Sequence, residues 1–295
     1  MPADNTTEAP VTAGIRRSAG RSVTATVGDF RVTALCDGHV DFDISRFVGV
    51  DPDEAKTVAE PHGVDAGDLA VSVNAFAIEA PGKLYLVDAG NGSIRGPGLG
   101  HLITALADAG HRPEDVDAML MTHMHGDHAA GLYEGERSVF PNAELIVSET
   151  ERAFWDAPEK LDDLQRSQLE IAHRGFDTHA GRTTLANAGA EVVPGITMVA
   201  LPGHTPGHVG FRIDGPDPML IWGDVVHVPA MQMARPEWYF RFDVDPDTAI
   251  DTRRRILDEA ATEGYLVTGA HVPFPGFARV ERHGGGFAYH PVDPG

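Results

Sequence analysis

The chain has 295 residues, of which 42% are hydrophobic and 23% charged, and a formal net charge of −21 at pH 7. That composition fits a globular protein able to bury a core of ordinary size. The acidic surface repels phosphate backbones and anionic membranes, so neither nucleic acid nor membrane is an expected partner. The single cysteine, Cys36, excludes an intramolecular disulfide and any thiolate metal cluster, and its apolar surroundings suggest a buried inert thiol.

In chain order, residues 1–22 are rich in Thr, Ala, Pro and Gly and read as a flexible arm, with residues 23–295 forming a single domain. Arg16-Arg17 is not followed by an apolar stretch, so no export signal is read and the cytoplasm is the expected compartment. No segment is long and apolar enough to span a bilayer. Phe30 to Leu35 alternates as a strand, and Asp37-Gly38-His39 reads as a turn into Val40-Asp41-Phe42. A short helix is expected over Asp51 to Glu60, with Pro52 in its first turn. Strands follow at Val71 to Ile78 and Leu84 to Asp88. Leu102, Ile103, Leu106 and Ala109 place a helix over Leu99 to Ala109, stopped by Gly110.

Val116 to Met121 and Leu145 to Ser148 read as strands, and Glu149 to Trp155 and Leu161 to His173 as helices. Further strands are expected at Ile196 to Leu201, Val209 to Ile213, Met219 to Trp222 and Tyr265 to Thr268. A helix over Pro246 to Glu263 has Asp245 as its N-cap and Gly264 as its stop. Two batches of strands, each followed by helices, imply an α/β protein with two packed sheets and helices outside, a four-layer αββα sandwich.

The densest chemistry is Thr122-His123-Met124-His125-Gly126-Asp127-His128. Imidazole and carboxylate are donors for a borderline divalent cation. The His-x-His spacing aims His123 and His125 to one side of an extended backbone. Asp127 and His128, past the turn, face a second point nearby, which suggests two metals. Three other segments end strands with a donor: His204 in Gly203-His-Thr-Pro-Gly-His208, Asp224 in Trp222-Gly-Asp224, and His271 in Val267-Thr-Gly-Ala-His271. Strand-end loops on a rigid scaffold are where functional side chains gather. His208 reads as a turn residue rather than a ligand, and His283-Gly-Gly-Gly286 as a turn.

Taken together, these motifs resemble the metallo-β-lactamase superfamily, over most of the chain from about Gly28 and including Leu86-Val-Asp-Ala-Gly90. The resemblance implies that His123, His125 and His204 hold one metal, that Asp127, His128 and His271 hold the other, and that Asp224 bridges them. A closer resemblance is to the methyl parathion hydrolase branch and neighbouring lactonases, through Gly28-Asp-Phe-Arg-Val-Thr-Ala-Leu-Cys-Asp-Gly38, Trp222-Gly-Asp-Val-Val-His227, Phe242-Asp-Val-Asp-Pro246 and Ala270-His-Val-Pro-Phe-Pro-Gly276. Many acyl-homoserine lactonases carry a tyrosine where this chain has His227.

The expected function is that of a dinuclear hydrolase in which a metal-bridging hydroxide cleaves a lactone or carboxylic ester. A phosphotriester is the alternative substrate, and a non-catalytic metal-binding or sensing protein the alternative of another class. Zinc is the first choice of metal; manganese, cobalt or iron accept the same donors. Asp127 and His227 are candidates for proton transfer, and Asp88 for holding a ligand imidazole from behind. Trp155, Phe176, Met231 and Phe274 are candidate substrate walls, with Phe154, Met233 and Trp238 beside them. The expected partner is a small ester, lactone or phosphotriester, and a homodimer is compatible with the sequence.

Overall fold

The computed structural model describes residues 20–293 apart from 95 and 97. The expected arm therefore lies outside the described residues as far as residue 19, and its last residue, Ser22, already opens a strand. The first sheet takes Ser22–Val27 (β1), Phe30–Phe42 (β2), Leu69–Ala80 (β3), Lys83–Val87 (β4) and Ala118–Leu120 (β5). After a small separate hairpin (Tyr133–Glu134, β6, and Arg137–Ser138, β7), it is completed by Glu144–Ser148 (β8) and Thr183–Ala186 (β9). The second sheet contains Glu191–Val193 (β10), Ile196–Ala200 (β11), Val209–Ile213 (β12), Met219–Ile221 (β13), Leu266–Thr268 (β14), Ala278–His283 (β15) and Gly286–Pro291 (β16). Strands β4, β5, β8 and β9 run parallel, as do β13 and β14, while the other neighbours are antiparallel.

The helices are Pro52–Ala59 (α1), Leu102–Asp108 (α2), Gly126–Ala129 (α3), Glu149–Trp155 (α4), Asp163–Asp177 (α5), Pro229–Gln232 (α6) and Pro246–Glu263 (α7). Between the sheets, Val32, Ala34, Phe76 and Ile78 pack on Met198, Phe211, Ile213 and Ile221. Outside the first sheet, Leu35, Ala77, Leu86 and Met119 pack on Leu102, Leu106, Ala172 and Phe176. Outside the second, Leu220, Val267 and Val280 pack on Ile256, Leu257 and Ala260 of α7. The expected αββα sandwich is the observed one. Because both faces of each sheet are covered, the central strands are apolar at successive positions rather than alternating. Among the described residues no helix is long and apolar enough to cross a membrane.

Helix α7 follows its sequence signals. The Asp245 side chain accepts the Thr248 amide at 3.1 Å, Pro246 opens the helix, and Gly264 closes it at φ 71°. The turn expected at Asp37-Gly38-His39 is corrected: β2 continues through it, and the pairing with β3 shifts by one residue between Cys36 and Gly38. The extra residue makes a β-bulge, with Gly38 at φ 142° and no room for a side chain against Gly98 O. Asp37 is fully buried, and its carboxylate accepts the amides of Asn91, Gly100 and Leu102. This fixes the loop after β4 and satisfies the first amide of α2. That helix starts at Leu102 rather than Leu99, because Gly100 takes φ 79°. The hairpin β15–β16 turns on Gly284-Gly285, both left-handed, which accounts for the glycine run after His283.

Candidate metal centre

The chain leaves the sheets toward one end at several places, and the donor side chains gather there. Asp88 follows β4, His123 to His128 follow β5, His204 lies between β11 and β12, Asp224 follows β13, and His271 follows β14. His123 Nε2 lies 3.0 Å from His125 Nδ1, which lies 2.9 Å from His204 Nε2. On the other side, Asp127 Oδ2 is 3.4 Å from His271 Nε2 and 4.0 Å from His128 Nε2. Asp224 stands between the two groups. Its Oδ1 is 3.2 Å from His128 Nε2, and its Oδ2 is 3.2 Å from both His204 Nε2 and His271 Nε2. The seven expected ligands therefore come together, and sets of three among them lie close enough to share an ion.

The backs of the rings are anchored, which fixes which nitrogen faces the centre. Asp88 accepts from His128 Nδ1 at 2.7 Å, and also from the Thr122 amide and hydroxyl. Asp88 holds φ 61°, the one left-handed residue among the described non-glycines. His204 Nδ1 donates to Asp243 Oδ1 at 2.8 Å, and His271 Nδ1 to Ser72 O at 2.9 Å. His208 donates Nδ1 to Leu201 O, while its Nε2 accepts the Asp224 amide at 3.0 Å. It thus holds the turn and the central carboxylate's backbone.

Two observations show that these residues suit a cation. His128 Nε2 and Asp224 Oδ1 are buried, and neither has an aligned hydrogen-bond partner despite their 3.2 Å approach. Such orphans are costly unless a cation joins them. Burial also pushes His123 and His125 well below the ordinary imidazole range, toward the neutral form that binds metal. For Asp224, burial opposes ionisation, yet the surrounding imidazoles of His128, His271 and His204 hold it well below the usual carboxylate range. Burial likewise opposes charge on His271, and Asp224 and Asp127 outweigh it and lift the group to about 10. A buried anion at this point needs positive charge around it, and a divalent ion supplies that as well as protonated imidazoles do.

Above the donors is a cleft whose wall comes from Phe42, Leu164, Gln165, Gln168, Phe240 and Phe242. His227 reaches it too, stacked on Phe240 with ring centroids 4.5 Å apart and on His271 at 5.2 Å. Its Nε2 is 3.4 Å from Asp224 Oδ2.

The wall candidates from the sequence are corrected. Trp155 is fully buried, with its Nε1 bonded to Glu151. Phe176 belongs to the core beneath the first sheet, as does the partly buried Phe154. Met231 and Trp238 pack in the cluster around α1, Met233 packs under α7, and Phe274 packs against the layer between the sheets. None of them lines the cleft. Phe240 and Phe242 had one available signal: they alternate two residues apart just before Asp243.

The metallo-β-lactamase superfamily pattern matches residues 69–271. The chain belongs to the metallo-β-lactamase superfamily. Among solved structures of that superfamily, the hydrolase AbOPH superposes with a TM-score of 0.87 at 28% identity, covering 94% of this chain and 99% of the other. AidC, a dizinc quorum-quenching lactonase, superposes with a TM-score of 0.86 at 22% identity, covering 92% and 97%, a likeness of fold. An N-acyl homoserine lactonase of Bacillus cereus is 27% identical over 113 residues. That stretch spans 38% of this chain and 39% of the lactonase, about two fifths of its length.

Proposed function

We propose that this chain is a dinuclear metal-dependent hydrolase that cleaves the ester-type C–O bond of a lactone or carboxylic ester. The observation that carries the reading is Asp224, which spans the two donor groups with both carboxylate oxygens. His123, His125 and His204 would hold one ion, Asp127, His128 and His271 the other, and Asp224 both. When bound, two such ions supply the Lewis acidity that yields hydroxide from water near neutral pH and stabilises a developing oxyanion.

The chain's own residues do the rest. Asp127 is the group proposed to orient the attacking water and pass its proton to the leaving oxygen, a role its position in the cleft lining supports. His227, held flat between Phe240 and His271, lines the same space with its Nε2 3.4 Å from Asp224 Oδ2, and is the donor proposed for the substrate's carbonyl oxygen. The apolar side chains of Phe42, Leu164, Phe240 and Phe242 suit an apolar acyl chain, and desolvate the reacting bond as it binds. The lactonase among the relatives supports the substrate class.

The test is a panel of lactones, aryl esters and phosphotriesters on the metal-loaded protein, with metal content measured on the same sample. Two ions per chain and a preference for lactones or esters are expected. A preference for phosphotriesters would replace the substrate class with the alternative. Two ions with no turnover on any class would point to a metal-binding or sensing protein.

A further inference from the structure

Glu151 is fully buried in the first turn of α4 and takes no part in the chemistry above. A carboxylate at that depth is costly unless its oxygens are bonded. All of its partners are on loops that carry the three-imidazole group or on its own helix. Oε1 accepts the Met124 amide at 2.9 Å, and Met124 separates His123 from His125. Oε1 also accepts Trp155 Nε1 at 2.7 Å, and the Trp155 ring meets His125 edge-on with centroids 5.9 Å apart. Oε2 accepts the hydroxyl of Thr205, the residue after His204, at 2.5 Å. Gly207 makes the approach possible, since a side chain there would run into the Glu151 backbone. The other donor group is held by different means, His128 by Asp88 and His271 by Ser72 O.

We propose that Glu151 is a positioning residue for one half of the metal centre. Its carboxylate clamps the loop bearing His123 and His125 to the loop bearing His204, so it sets the affinity of the three-imidazole site and leaves the Asp127–His128–His271 site alone. The inference rests on the dinuclear reading. Glu151→Ala deletes all three bonds. Glu151→Gln keeps an acceptor oxygen for the Met124 amide and Trp155, and its amide NH2 can donate to the Thr205 hydroxyl. Thr205→Val removes the Oε2 bond alone and preserves volume.

The experiment titrates metal-free protein with cobalt(II), following absorption bands and heat of binding, with circular dichroism to check folding. Wild type should bind two ions. Glu151→Ala should weaken one of them by about 10–100-fold, the range found when a group behind a ligand is lost. Thr205→Val should weaken the same ion by a smaller factor, and Glu151→Gln should restore wild-type binding. Equal weakening of both ions, or of neither, overturns the proposal. If Glu151→Ala does not fold, Thr205→Val decides by the same criterion. A wild type that binds one ion overturns the dinuclear reading, and this proposal with it, whatever the variants do.

Discussion

The floor of the cleft and its wall are assembled in different ways. The floor takes its donors from segments that follow strand ends, and three of the imidazoles, His128, His204 and His271, are fixed from behind by a carboxylate or a backbone carbonyl. The wall takes side chains from the end of β2, the first turns of α5 and the loop before α7, segments more than a hundred residues apart in places. The rings of Phe42, Phe240 and Phe242 are held by contacts with one another and with the Arg46 guanidinium, and no carboxylate or carbonyl fixes the rings themselves as it does three of the imidazoles. On the proposed function, this contrast separates chemistry, in the floor, from selectivity, in the wall.

It can be broken most sharply at Asp224. Asp224→Ala removes the carboxylate common to both donor groups, and kcat/KM should fall about 10³-fold or more, the several kcal/mol that metal-supplied stabilisation represents. Metal analysis should show both ions depleted, and retained activity would reject its bridging role. Next come the anchors behind the rings. Asp243→Asn should lower affinity for the ion near His204, and Asp88→Asn for the ion near His128, each about 10–100-fold. Cobalt titration distinguishes the two, and a pair of variants with the same signature would contradict two separate sites.

The wall should respond differently. Phe242→Ala removes an aromatic face from the cleft and should raise KM by about tenfold for long acyl substrates, with kcat nearly unchanged. A fall in kcat with constant KM would place this ring in the chemistry instead. The smallest effect is expected at Phe176, a core residue rather than a wall residue. Phe176→Leu should cost about 1 kcal/mol of stability in chemical denaturation and leave the substrate ranking intact. A changed ranking would return it to the cleft.

The same contrast explains what could be read from the residues alone. His123 to His128 signal the site because their spacing is local. His204, Asp224 and His271 do so because each ends a recognisable strand. Helix α7 is legible because Asp245, Pro246 and Gly264 act through their own backbone neighbourhood. Phe42, Phe240 and Phe242 are not legible as a wall, since an aromatic residue has the same appearance in a core and in a cleft until its neighbours are known. Glu151 and Asp243 are hidden for a related reason: their importance lies in partners such as Thr205 and His204, at sequence distances of 54 and 39 residues. Asp37-Gly38 has the composition of a turn, and only pairing with β3 makes it a bulge. The edge strands β1, β9, β10 and β16, and β15 next to an edge, escape the sequence reading because half-exposed strands lack the apolar runs that mark the central ones.

The bulge in β2 has a consequence for how such a cleft can change. Before it, Val32 and Ala34 share a face with Ile78 and Phe76; after it, Phe42 pairs with Leu69 and lies on the opposite face of the sheet. One extra residue reverses the side on which every later side chain of the strand projects. If the strand ran on at full length without the bulge, Asp41 rather than Phe42 would stand opposite Leu69, and the apolar wall would turn acidic. In this fold the polarity above the donors depends on where one strand slips by a single residue as much as on which residues it carries.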